Sequence, residues 1–210
     1  MSAVRLVCFD LGGVVVRLCR SWDEGCLAAG VELRPSHRTP EQESARRAAV
    51  NAYQRGDITS AAFFQTVADS FGGVYAPAEV ERVHGAWIMR EYEGVAGLIG
   101  ALGDAGVPTA CLSNTNAAHW RALQAWPAVA ALGSRHASHE MRLAKPDPAV
   151  YEAFERVSVC AGPEILFFED TSANADAARE RGWRAEVVDP AHETRPQIEG
   201  FLRAHGVTVL

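Results

Sequence analysis

What the chain lacks narrows its function before any motif is read. None of its apolar runs approaches a membrane span, and no basic stripe is present to meet nucleic acid or an anionic membrane surface. The formal net charge of -6 agrees with that exclusion. Five cysteines, Cys8, Cys19, Cys26, Cys111 and Cys160, include no Cys-x-x-Cys pair, so reduced core thiols of a cytoplasmic protein are expected, not zinc ligands or disulfides. A secretory signal is not expected, because the first apolar run is short and broken by Asp10. There is no Gly-x-Gly-x-x-Gly fingerprint, Walker loop or Gly-x-Ser-x-Gly elbow, which removes dinucleotide, NTP-loop and serine-hydrolase readings. Internal repeats, low-complexity tracts and long linkers are also missing.

What is present is an ordinary globular composition, 48% hydrophobic and 22% charged over 210 residues, enough for one sizeable core and a small second module. Arg5-Leu6-Val7-Cys8-Phe9 reads as a buried strand that ends at Asp10 and runs into Leu11-Gly12-Gly13-Val14-Val15-Val16. Residues 17–92 then turn rich in Ala, Glu and Arg. Phe64, Val67 and Phe71 share helical spacing, as do Val80, Val83, Trp87 and Ile88 after Pro77, so four helices and no strand are expected there. From Gly94 helix and strand alternate, with strands expected at 107–112, 135–138, 165–168 and 184–188. Helices are expected from Val95 through Leu102, then over 117–125 up to the interruption at Pro127, and over 148–157, 172–181 and 194–204. The pattern specifies an α/β fold: a Rossmann-like parallel sheet with helices on both faces, split after its first strand by an α-helical insertion. The expected division is a core of residues 1–16 and 93–210 and a helical domain of residues 17–92.

Four polar groups fall at strand ends or in the following loops: Asp10, Ser113-Asn114, Lys145-Pro146-Asp147 and Glu169-Asp170. In a parallel sheet the strands' carboxyl ends share one edge, so these groups are expected to converge on one crevice. Each alone has a plainer explanation. Asp10 and Ser113-Asn114 suit turns or caps, Lys145 a solvated loop, and Glu169-Asp170 the acidic start of a helix. His136 and His139 lie three apart, yet no third ligand follows at metal spacing, so a surface or loop pair is expected.

In this order and spacing, Phe9-Asp10-Leu11-Gly12-Gly13-Val14, Leu112-Ser113-Asn114-Thr115-Asn116, Lys145-Pro146-Asp147-Pro148 and Phe168-Glu169-Asp170 resemble the four motifs of the haloacid dehalogenase superfamily of aspartate-nucleophile hydrolases. The resemblance spans nearly the whole chain. It implies a Mg2+-dependent phosphomonoester hydrolase working through an aspartyl phosphate, with Asp10 as nucleophile and Ser113 and Lys145 as its catalytic partners. Asn114, Gly12 and Gly13 would contact substrate, while Asp10, Asp170, Glu169 and the main-chain carbonyl of Gly12 would hold the metal. The insertion would be a helical cap. The implied partner is a small phosphorylated metabolite, handled by a monomer or homodimer. A cation is needed because the phosphoryl group and the attacking carboxylate are both anionic.

One position departs from the pattern. Phosphatases of this superfamily usually carry a general acid two residues after the nucleophile, and Gly12 stands there; such help is typically worth about 10²- to 10⁴-fold. A more acidic leaving group would lessen the need, which favours a sugar phosphate such as a hexose 1-phosphate. The Asp-Leu-Gly-Gly-Val run and the Ser-Asn-Thr-Asn-x-x-His run ending at His119 look like the branch containing bacterial glucose-1-phosphate phosphatases. Alternatively Arg17, Arg20, His84 or Glu91 substitutes for the acid, or the protein only binds a phosphorylated ligand. A metal-independent 2-haloacid dehalogenase also tolerates Gly12, but it would want an Asp where Asn174 stands and no Glu169-Asp170 pair beside the nucleophile.

Overall fold

The computed structural model describes residues 3–208. Positions 1–2 and 209–210, the outermost of the expected core, lie outside the described residues. The strands are β1 (Leu6–Phe9), β2 (Val16–Leu18), β3 (Ile88–Glu91), β4 (Thr109–Ser113), β5 (Ser134–Ala137), β6 (Ile165–Glu169) and β7 (Arg184–Val187). The helices of the insertion are α1 (Trp22–Ala29), α2 (Pro40–Gln54), α3 (Ser60–Ser70) and α4 (Pro77–Gly85). Those of the remainder are α5 (Val95–Asp104), α6 (Ala117–Leu123), α7 (Pro127–Ala130), α8 (Ser138–Met141), α9 (Pro148–Ser158), α10 (Ser172–Glu180) and α11 (Arg195–Ala204).

Alternation along the buried strands builds two cores. In β1, Val7 and Phe9 join Leu166 and Phe168 of β6 against α5, α7 and α11, while Leu6 and Cys8 join Ile165 and Phe167 against α9 and α10. Five parallel strands in the order β5-β4-β1-β6-β7 result, with helices on both faces as the sequence implies. The four helices of the insertion pack around a third cluster of their own, centred on Tyr53, Phe63, Phe64, Val67, Phe71 and Tyr75.

The expectation of no strand in residues 17–92 fails at both ends of the insertion. β2 and β3 pair antiparallel as a separate two-stranded ribbon, which takes Ile88 and Trp87 out of the helix that ends at Gly85. These strands are three and four residues long and only partly buried, so neither shows the alternation that marks a strand in sequence. Pro127 does interrupt the helix before it, and it opens α7 at the first helical position.

The loop after β1 folds back on itself, with the amides of Val14, Val15 and Val16 directed at the carbonyl of Leu11. It is tied down from the far end of the chain. Thr194, fully buried ahead of α11, donates its hydroxyl to the carbonyl of Val14 at 2.6 Å. Removing that donor strands a buried acceptor, so Thr194→Val is expected to cost about 1–2 kcal/mol and lower Tm by roughly 2–6 °C in calorimetry.

Candidate active site

The strand ends bring the predicted groups together. β1 lies between β4 and β6 in register, Phe9 opposite Cys111 and Phe168, so Asp10, Ser113 and Glu169 all emerge on the carboxyl edge of adjacent strands. Lys145 reaches in from the loop before α9 and contacts both acids, its Nζ 3.1 Å from Asp10 Oδ1 and 2.6 Å from Glu169 Oε2. The lysine and Glu169 side chains are completely enclosed, and that of Asp10 is only 10% exposed.

Each group is fixed by a specific local bond. Asp10 Oδ1 also accepts the amide of Leu11 at 2.7 Å, which leaves Oδ2 as the oxygen turned to neither partner. The second oxygen of Glu169 accepts the amide of Thr171 at 3.1 Å. Asn114 clamps the Lys145 main chain at both ends, Nδ2 donating to its carbonyl at 2.8 Å and Oδ1 accepting its amide at 2.9 Å. One N–H of that amide remains for other use. Ser113 is buried at the end of β4, and Thr115 is held by the hydroxyl of Ser138.

Gly13 sits at φ +74°, and a Cβ there would lie 2.2 Å from Asp170 Oδ2. Only glycine lets the loop approach Asp170 this closely. Gly12 meets a different neighbour. A Cβ at that position would run into Cδ1 of Leu18 at 2.7 Å, so an apolar side chain packs where the sequence lacks an acid.

Charge dominates this corner. Carboxylate oxygens of Asp10, Glu169 and Asp170 lie within 4.8 Å of one another, and Lys145 is the cation paired with two of them. Burial pushes the Asp10 carboxyl up, and although Lys145 pulls it down, Glu169 and Asp170 add to the rise, to about 7. Asp170 is likewise raised to about 6, first by burial and then by Glu169. Burial alone would depress the Lys145 ammonium, but Asp10 and Glu169 outweigh it and hold the lysine firmly charged.

Beside this corner lies a cavity of about 440 Å³, bounded by Leu18 and Asn114 on the sheet side and by α1 to α4 on the other. At its edge two imidazoles stack, His84 of α4 on His119 of α6, with centroids 3.8 Å apart. Sequence reading missed this arrangement. Asn116 caps α6 through Oδ1 and reaches Nε2 of His84 and Nδ1 of His119 with its Nδ2, at 3.3 and 3.4 Å, while His119 Nε2 lies 2.7 Å from the carbonyl of His84. An amide donating to both rings requires both to be neutral, and burial does push both down, His84 to about 3.

None of the other candidates for the missing acid stands free for it. Arg17 is paired with Glu24 at 2.6 Å, Arg20 donates to the carbonyl of Pro190, and Glu91 accepts the amide of Ala128 at the start of α7. His136 packs edge-on against Phe154, and neither it nor His139 belongs to the acidic group.

A sequence model of haloacid dehalogenase-like hydrolases matches residues 4–182. No curated protein matches significantly. Among solved structures, a predicted HAD-like hydrolase from Porphyromonas gingivalis superposes with a TM-score of 0.76 at 21% identity, over 96% of this chain and 99% of that one. A HAD family enzyme of Bacteroides thetaiotaomicron, solved in complex with magnesium and inorganic phosphate, gives 0.70 at 18% identity over 90% and 96%. The L-2-haloacid dehalogenase of Xanthobacter autotrophicus, with chloropropionic acid covalently bound, gives 0.64 at 16% over 98% and 85%. At these identities the superpositions establish the shared fold, and the sequence match establishes kinship: the chain belongs to the haloacid dehalogenase-like hydrolases.

Proposed function

We propose that this hydrolase is a Mg2+-dependent phosphomonoesterase of small phosphorylated metabolites, with Asp10 as its nucleophile. One observation carries the reading: three carboxylates converge beside a single buried ammonium, a formal charge of about -2 that a divalent cation balances. The donor set is all oxygen, as Mg2+ prefers, and Asp10, Asp170 and the main-chain carbonyl of Gly12 are the groups that would hold it. Glu169, with one oxygen on Lys145 and the other on Thr171, supports the set by fixing the lysine. The Bacteroides relative with magnesium and phosphate bound is in keeping with this. When bound, Mg2+ lowers the repulsion between an anionic nucleophile and an anionic phosphoryl group.

The residues then divide the work. Asp10 Oδ2 attacks phosphorus while Lys145 and Leu11 hold the other oxygen in place. Lys145 supplies fixed positive charge, and Ser113 with the spare N–H of Asn114 offers donors to the phosphoryl oxygens. The ester oxygen departs with its electron pair, and water hydrolyses the aspartyl phosphate to free Asp10. Gly12 brings no carboxyl to protonate the departing oxygen, and Leu18 packs beside it. The substrate must therefore supply an acidic leaving group, as an anomeric sugar phosphate or an aryl phosphate does. Residues 17–92 act as the cap that closes over this chemistry and chooses the leaving group. The five cysteines are buried unpaired thiols, in keeping with a reducing cytoplasm, and no described helix is long and apolar enough to cross a membrane.

Phosphate release from an ester panel tests the assignment. Turnover is expected with Mg2+, to vanish with chelator, and to fall by more than about 10³-fold in Asp10→Asn. Chelator-resistant chloride release from 2-chloropropionate, with no ester hydrolysed, would make the protein a dehalogenase instead.

The stacked histidines predict a pH response of the cap contact. A folded pKa near 3 against an ordinary value near 6.5 means that the His84 contribution is complete above pH 6.5 and is lost as pH falls toward 3. Between pH 7 and pH 5 this group should cost about 2 kcal/mol of stability. His84→Phe keeps a ring against Tyr53 and Phe63, so its stability should fall less than wild type over that interval in parallel denaturant titrations. Equal falls in the two proteins would refute the link.

A further inference from the structure

The cavity bounded by Leu18 and Asn114 has a lining dominated by aromatic and aliphatic side chains. Trp22, Tyr53, Phe63, Phe71 and Trp87 contribute five aromatic side chains to it, and Leu18, Val50, Val67 and Val80 add aliphatic wall. Most of its uncharged polar side chains are already committed within the protein. Ser21 caps α1, the Tyr53 hydroxyl bonds Ser60 at 2.7 Å, Asn116 serves the two histidines, and Asn114 holds Lys145. Few uncharged polar groups are therefore left to face a ligand, and the wall is mainly one for a flat apolar ring.

The charges that do line the cavity are all of one sign. Arg20, Arg38 and Arg46 contribute to the wall, and no carboxylate does. Arg38 and Arg46 share the single acid Glu43, at 3.1 and 2.6 Å, which leaves one positive charge uncompensated in that trio. Arg38 also lies over the ring of Phe71, 4.5 Å from its centroid, and Phe71 packs on Trp22 at 4.5 Å. The indole N–H of Trp22 is buried and has no acceptor. The surplus positive charge is what asks for an anionic partner that the cavity wall does not provide.

These observations join the missing acid. A phenol, with an ordinary pKa of about 10, is a far better leaving group than an alcohol and departs without protonation. Building on the phosphatase reading above, we propose that the natural substrate is an aryl phosphate whose ring carries a carboxylate, the ring lying among the cavity aromatics and the carboxylate meeting Arg38 and Arg46. The reaction balances without an acid. Asp10 forms a bond to phosphorus as the P–O(aryl) bond breaks, the electron pair leaves on the phenolate, and water cleaves the acyl phosphate. The proton released in that second step neutralises the phenolate, giving phenol, inorganic phosphate and free Asp10.

The test compares 4-carboxyphenyl phosphate, phenyl phosphate, glucose 1-phosphate and glycerol 3-phosphate with the Mg2+-loaded protein. The kcat/KM should fall in that order, with at least about tenfold between the carboxylated and plain aryl esters, most of it in KM. Arg38→Gln should collapse the difference between the two aryl esters, lowering kcat/KM for the carboxylated one toward that for phenyl phosphate. Arg46→Gln should narrow the same difference without depending on the fate of the Arg38 variant. As a readout without turnover, Asp10→Asn should bind 4-carboxyphenyl phosphate more tightly than phenyl phosphate in calorimetry. Glucose 1-phosphate equal to or better than both aryl esters, or a carboxylate effect that both variants leave intact, would overturn the proposal and leave the phosphatase reading standing. Failure of every ester, with or without Mg2+, would defeat that reading as well.

Discussion

A buried ammonium held between two buried carboxylates is the constraint on which the rest of this structure depends. Taking Lys145, Asp10 and Glu169 out of water costs several kcal/mol per ion, and contacts of 3.1 and 2.6 Å offset that cost only if all three groups are fixed. The fold fixes them from three directions. Asp10 directly follows β1, the neighbouring β6 ends in Glu169, and Asn114 just after β4 grips the main chain of Lys145 from both sides. Asp170 then brings a third carboxylate to the same place, and the lysine cannot neutralise all of them. The upward shifts of Asp10 and Asp170 come first from burial, and that surplus adds to them.

The same economy shapes the substrate side. Leu18 belongs to the small ribbon that leads into the helical insertion, and its side chain occupies the space beside Gly12. The element that begins the insertion thus packs a leucine beside the glycine that stands in place of an acid. What this removes from catalysis must come from the leaving group, and the cavity on the other side of Leu18 is walled by aromatic rings and arginines. Across that wall the insertion meets the sheet domain through an amide shared by two stacked neutral imidazoles.

Much of the core was legible in the sequence because buried parallel strands write themselves as short apolar runs. The segment around Phe167 and the one before Asp10 could hardly be anything else, and the polar groups that follow them had to share an edge. The β2 and β3 ribbon was not legible, since a half-buried strand of three or four residues has no period to detect. Leu18 over Gly12, Asn114 on the Lys145 backbone, and His84 against His119 were hidden for another reason. Each joins residues 6 to 35 positions apart that have no pattern in common, so only the folded chain makes them neighbours. His119 and Asn116 carried a signal as part of one motif, yet nothing in sequence paired them with His84.

The account rests most heavily on a divalent cation completing the charge of the Asp10, Glu169 and Asp170 group, and titration calorimetry with Mg2+ at two pH values tests this directly. Because Asp10 and Asp170 are raised toward pH 6–7 without the ion, binding at pH 6.5 should release protons, measured as a dependence of the apparent enthalpy on buffer ionisation, and the release should fade by pH 8.5. Saturable binding with that proton release, lost in Asp170→Asn, is the predicted result. No binding at either pH, or binding with the same affinity and no proton release in wild type and variant alike, would contradict it.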